Sequence, residues 1–224
     1  MLLPEPASFF AMTRQRAAAL PCFLALALLV FAVPSHAQFG APDTTHVQDA
    51  SALRPPAGAR VAIIEFYDLE CPLCAQTNPT LIAAANQYKI PWIRYDFLIP
   101  GHPWSRQAAI NARFFDTKGL KLGNDYRDYI FANQVSIETP DELRNFTQKF
   151  AQAHGVALPF AIDPMGKFAA EIQADVDLGR RIGVDHTPTI FIVANGGHAP
   201  AYTEVVDRSR LFQTIDQVLA EVRE

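Results

Sequence analysis

The chain has 224 residues, half of them apolar and under a fifth charged, with a formal net charge of −4. That balance fits an ordinary folded protein and excludes the strongly basic surface that a nucleic-acid partner demands. A charge this small speaks to solubility alone.

Arg14 and Arg16 precede an apolar stretch from Ala17 to Val33, and Ser35, His36 and Ala37 follow it as a small-x-small cleavage site. Residues 1–37 are therefore expected to be a secretory signal peptide removed after Ala37. Met1 to Ala11 fit poorly ahead of such a signal, so translation is expected to begin at Met12. The competing reading is an N-terminal membrane anchor, because the stretch is at the short limit for a span. Cys22 follows Leu20 and Pro21 rather than a small residue, which argues against a lipoprotein, and it leaves with the signal. Residues 38–224 are then the size of one domain with a well-covered core.

Residues 38–60 are rich in Pro, Ala, Asp and Thr without periodicity and read as a flexible N-terminal extension. Val61 to Tyr67 is apolar on both faces, as a central strand between helices should be, and only Glu65 breaks the run. Cys71 to about Tyr88 reads as a helix with Pro79 inside it as a kink, and Ile90 to Phe97 as the next strand. From about residue 103 to 183 the pattern turns helical, over Trp104 to Asp116, Gly123 to Asn133, Thr139 to His154 and Pro164 to Ile182. Thr139-Pro-Asp-Glu142 supplies a helix start with acids in the first turn. Thr189 to Val193 and Tyr202 to Val206 form a hairpin around Asn195-Gly-Gly197, before an amphipathic helix from Ser209 to Arg223.

Cys71 and Cys74 are the remaining cysteines, spaced Cys-Pro-Leu-Cys between a predicted strand and a predicted helix. As a staple the pair is poor: loop closure contributes roughly 2 kcal/mol at this length against about 4.7 for a hundred-residue loop. Position favours redox chemistry. A thiol at a helix N-terminus meets free backbone N–H groups and the positive end of the helix dipole, so Cys71 is expected to be the nucleophile. Cys74, one turn on and better shielded, is expected to be the resolving thiol. Glu65 lies in the strand beneath them, where burial raises a carboxyl's pKa and suits it to proton transfer with Cys74. A different class of reading uses the two thiolates to hold copper or zinc, but no second C-x-x-C and no suitably spaced His completes the site. No metal is therefore expected. His102 and Trp104 read as a helix-capping turn with a core tryptophan, His186 as a surface loop residue, and Lys118, Lys121, Arg180 and Arg181 as solvated faces.

These residues together resemble the thioredoxin superfamily, and within it the DsbA-like thiol-disulfide oxidoreductases of the bacterial periplasm. The landmarks are Glu65 six residues before the first cysteine, Cys71-Pro-Leu-Cys74, Pro79 in the helix, and Thr187-Pro188. Phe97 to Ser105, followed by Ala108, Ala109 and Ala112, also looks like a DsbA-like subgroup. The resemblance covers 61–224 and implies an α/β thioredoxin fold, a central mixed sheet flanked by helices with a helical insertion over about 103–183. It implies an enzyme that introduces disulfides into exported proteins through a redox-active Cys71–Cys74 pair, without cofactor. Isomerase and reductase activities are the alternatives; an isomerase of this superfamily usually carries a dimerisation domain, and a monomer is expected here. Pro188 is implied to be cis, with Thr187 and Pro188 binding the substrate chain. The dipeptide Pro72-Leu73 departs from the Pro-His of the best-known oxidases, which leaves the potential open. A membrane redox partner is implied, a quinone-linked oxidase ahead of an electron donor.

Overall fold

The structure, a computed structural model, describes residues 50–223. The leader with its cleavage site, Cys22 and residues 38–49 of the extension lie outside the described residues. No helix among the described residues is long and apolar enough to cross a membrane.

The first strand, β1 (Val61–Tyr67), is buried at every position, and so is β3 (Thr189–Ala194). They pair antiparallel, while β2 (Trp92–Asp96) runs parallel to β1 and β4 (Tyr202–Glu204) antiparallel to β3, giving the order β2-β1-β3-β4. A parallel β1–β2 pair needs a crossover, and α1 (Pro72–Tyr88) supplies it with Pro79 inside. One face of the sheet packs Ile63, Ile190 and Ile192 against Leu81 and Ala84 of α1 and against Leu211, Ile215 and Val218 of the last helix, α6 (Leu211–Arg223). The other face packs Ile64, Phe66 and Phe191 against Ile182 and Val184.

Between β2 and β3 lie α2 (Ser105–Asp116), α3 (Leu120–Asn133), α4 (Pro140–Ala153) and α5 (Lys167–Ile182). The first three share a second core built on Trp104, Phe115, Tyr126, Ile130, Leu143 and Phe150. Helix α4 starts with a full capping box: Glu142 N donates to the Thr139 hydroxyl at 3.2 Å, and Thr139 N donates to the Glu142 carboxylate at 2.9 Å.

Three expectations need correction. Helix α3 starts at Leu120 rather than Gly123, because Gly119, at φ +140°, serves as the N-cap. Gly123 sits inside the helix where a Cβ would stand 1.8 Å from Asp116 Oδ1, so it is a close-packing glycine and not a boundary. Helix α5 starts at Lys167 rather than Pro164, behind the left-handed Gly166. Residues 50–60 are not a free extension: Ala50 and Leu53 are buried in the core beside Phe97 and Val184.

Candidate active site

Cys71 is the N-cap of α1, in extended conformation, and its amide donates to Asp68 O at 3.1 Å. The turn that delivers it is held by its own acids. Asp68, buried, accepts from the amides of Glu70 and Ile99 at 2.8 Å each and meets His102 Nδ1 at 2.9 Å. Glu70 accepts from the amides of Trp104 and Ser105 at 2.7 and 2.8 Å, so it closes the open N-terminus of α2. Gln134, in the 3-10 turn after α3, donates through Nε2 to Leu69 O at 2.9 Å and Cys71 O at 3.1 Å. The helical block thereby grips the active-site loop on both sides of Glu70.

The Thr187–Pro188 peptide bond is cis, and Thr187 lies beside Cys71. The Cys71 thiol donates to Thr187 O at 3.3 Å. The Cys71 pKa is lowered to about 6, first by the Cys74 thiol donating to its thiolate, against burial, and then by the Thr187 side chain, not its carbonyl, and the N–H groups of Cys74 and Leu73. Cys74 is fully buried, and burial first, then the neighbouring Cys71 thiolate and Glu65, pushes its thiol well up. The pair is therefore split into one thiol that ionises near neutrality and one that holds its proton.

Glu65 is wholly buried in β1, and neither carboxyl oxygen has a hydrogen-bond partner. Burial raises its pKa to about 7, with Arg94 acting in the opposite sense. Pro72 and Leu73 form the first turn of α1, and Leu73 packs against the helical core.

His102 and Trp104 turn inward. Trp104 is 2% exposed and donates from Nε1 to Ile137 O at 3.1 Å. His186 pairs with Asp185 in its own loop at 2.8 Å. Lys121 is an exposed partner of Asp125. Among the described residues no three His, Cys, Asp or Glu side chains group as a metal site. Sequence reasoning passed over Asp68, Glu70, Arg94, Asp128 and Gln134. The two acids carried a local signal, since both lie in the short turn between β1 and Cys71. Gln134 carried none.

A thioredoxin family model matches residues 56–207. The Na(+)/H(+) antiporter NhaA 3 of Salinispora tropica is 28% identical over 168 residues, which are 74% of this chain and 24% of the antiporter. Disulfide bond formation protein D of Bacillus subtilis is 24% identical over 153 residues, 60% of this chain and 64% of that protein. The chain thus spans about a quarter of the antiporter's length and under two thirds of the Bacillus protein's. Among solved structures, alpha-DsbA1 of Wolbachia pipientis superposes with a TM-score of 0.60 at 15% identity, over 76% of this chain and 91% of that one. The sheet order, the helical block between β2 and β3, the Cys71–Cys74 pair heading α1 and the family match all agree, and the chain belongs to the thioredoxin family.

Proposed function

We propose that this protein is a thiol-disulfide oxidoreductase that introduces disulfides into exported proteins by exchange through Cys71 and Cys74. The observation that carries the reading is the split between a Cys71 thiol lowered to about 6 and a Cys74 thiol pushed well up. A low-pKa thiolate is the better leaving group, so a disulfide at Cys71 passes readily to a substrate.

In the oxidised enzyme a substrate thiolate attacks Cys71 Sγ, forming a substrate–Cys71 disulfide and breaking the Cys71–Cys74 bond. Cys74 leaves with the electron pair and takes up a proton, for which the Glu65 carboxyl is the donor. A second substrate thiolate then attacks the substrate sulfur of the mixed disulfide and expels Cys71 as a thiolate. The substrate has lost two electrons and the enzyme has gained them. By family resemblance a quinone-linked membrane oxidase accepts these two electrons and restores the Cys71–Cys74 disulfide, whereas a membrane electron donor would serve the alternative, a reductase. Thr187 and Pro188, adjacent to the Cys71 sulfur, offer backbone for an extended substrate chain to pair with. The leader motif at Arg14 to Ala37 supports export to the periplasm, with cleavage near Ala37.

Equilibration of the Cys71–Cys74 couple with glutathione buffers tests the reading. A potential near about −120 mV marks a donor of disulfides; one near about −270 mV marks a thioredoxin-like reductant and removes the oxidase assignment. Alkylation at pH 7 should label Cys71 first, and preferential labelling of Cys74 would reverse the two roles.

A further inference from the structure

One buried cluster is left short of hydrogen bonds. Glu65 Oε1 and Oε2, Trp92 Nε1 and Arg94 Nη1 are all buried without a partner. They share one side of the sheet: Glu65 stands beside Arg94 in the β1–β2 register, and Trp92 precedes Arg94 by two residues. A buried carboxylate next to a guanidinium ordinarily closes with it into a two-bonded ion pair. These two do not, and the reason lies in what holds the arginine.

Arg94 Nη2 donates to Asp128 Oδ1 at 2.8 Å and to Asn78 Oδ1 at 3.2 Å. Asn78 Nδ2 donates to the same Asp128 oxygen at 3.2 Å, closing a triangle between α1, β2 and α3. The guanidinium carbon also lies 3.6 Å from the centre of the Trp92 ring. The Arg94 side chain is 5% exposed, so the grip is made in the interior, while Asp128, at 34%, reaches the surface.

We propose that Asp128 is a positioning residue: with Asn78 it draws the Arg94 guanidinium away from Glu65, and so keeps the Glu65 carboxyl able to carry a proton for Cys74. An arginine does not give up its charge, so only a rival anion can stop it from fixing Glu65 as a carboxylate. The charges facing Glu65 act in the senses this requires. Arg94 on β2 lowers its pKa, while Asp128 on α3 and Cys71 at the head of α1 raise it. Cys74 on α1 is the thiol it acts on. The β3 partner, Ile190, is uncharged, and α6 meets this face through Leu211 and Ile215. Asp128 belongs to the helical insertion, which therefore reaches the chemistry beneath the sheet as well as the loop above it.

The inference rests on the proton-transfer role of Glu65, and its test can fail separately from that role. Carboxyl NMR of the reduced, full-length protein with labelled glutamate follows the Glu65 titration, its resonance identified by loss in Glu65→Gln. Asp128→Asn keeps an oxygen that accepts from Arg94 and removes the charge. The Glu65 midpoint should fall by about one unit, a tenfold loss of proton affinity, and Asp128→Glu should restore it. An unmoved or raised midpoint in Asp128→Asn overturns the proposal. Should that variant not fold, Asn78→Ala loosens the same grip, and its midpoint must also fall or the proposal is lost. If Glu65→Gln leaves the pH profile of thiol exchange unaltered, the proton-transfer role fails, while the NMR midpoint still decides what Asp128 does.

Discussion

Consecutive residues of α3 meet the sheet in opposite ways. Arg127 is buried and fully paired: it donates to both oxygens of Asp116 at 2.7 Å and, from Nε, to the Tyr67 hydroxyl at 2.8 Å. Asp128 instead grips Arg94, and the cluster behind that grip keeps four polar atoms unpartnered. On the far side of the block Arg113 is likewise well supplied, bonding Asp96 at 2.6 and 2.9 Å and pairing with Asp175. A saturated cluster fixes where the helical block sits. An unsaturated one leaves a buried carboxyl without a hydrogen-bond partner, at a cost in stability.

The largest way to test that contrast is to break the saturated cluster. Arg127→Met strips the part-buried Asp116 of its partner and strands the Tyr67 hydroxyl in the interior, and urea unfolding should show a loss of about 3 kcal/mol. The Cys71 titration of the protein that remains folded should not move. A displaced Cys71 midpoint would mean that the two clusters are one system.

Removing the unsaturated carboxyl should do the reverse. The folded state raises the Glu65 pKa from 4.5 to about 7, so it binds the proton more tightly than the unfolded chain. Its contribution to stability is complete below about pH 4.5 and is lost as the pH rises to about 7. Glu65→Gln should therefore be more stable than the parent by roughly 3 kcal/mol at pH 8 and no different at pH 4, while exchanging disulfides more slowly. Equal gains at both pH values would show that the side chain costs stability through packing rather than charge.

Cys71 has the opposite sign. Its pKa falls from 9.0 to about 6 on folding, so the thiolate stabilises the reduced protein fully above about pH 9 and not at all below about pH 6. The disulfide form carries no thiolate. Unfolding both forms across this range should show the reduced protein losing ground to the oxidised one as the pH falls from 9 to 6, then keeping a constant difference. Thr187→Val removes the side-chain hydroxyl that favours the thiolate and keeps the carbonyl that accepts from the thiol, so thiolate absorbance should show the Cys71 midpoint moving up. The smallest effect belongs to Gln134→Ala, which loses two bonds to loop carbonyls at a half-buried site. About 1 kcal/mol of stability should go with little change in the Glu65 titration.

Much of this molecule was legible because its signals are local. The apolar run Val61–Tyr67 predicts β1 with its bounds, and Cys71 emerges at the head of α1, ahead of Pro79, as the spacing implies. Four helices and a hairpin follow in the expected order. Glycines misled where they served packing: Gly123 looks like a helix start and is a helix interior, because only the fold shows that Asp116 leaves no room for a Cβ. Residues 50–60 looked like a tail because composition says nothing of the groove that takes Ala50 and Leu53.

The sequence by itself determined the chemistry on offer, namely two thiols one helical turn apart and an acid in the preceding strand. Periodicity and spacing over a few residues are enough for that. The tertiary structure alone decided how those groups are tuned. Gln134 reaches Cys71 across 63 residues and Asp128 reaches Arg94 across 34, and nothing in the chain between them announces either meeting. The proton affinity of Glu65 follows from the same source, because it depends on which charges the packed helices bring near and how much water they exclude.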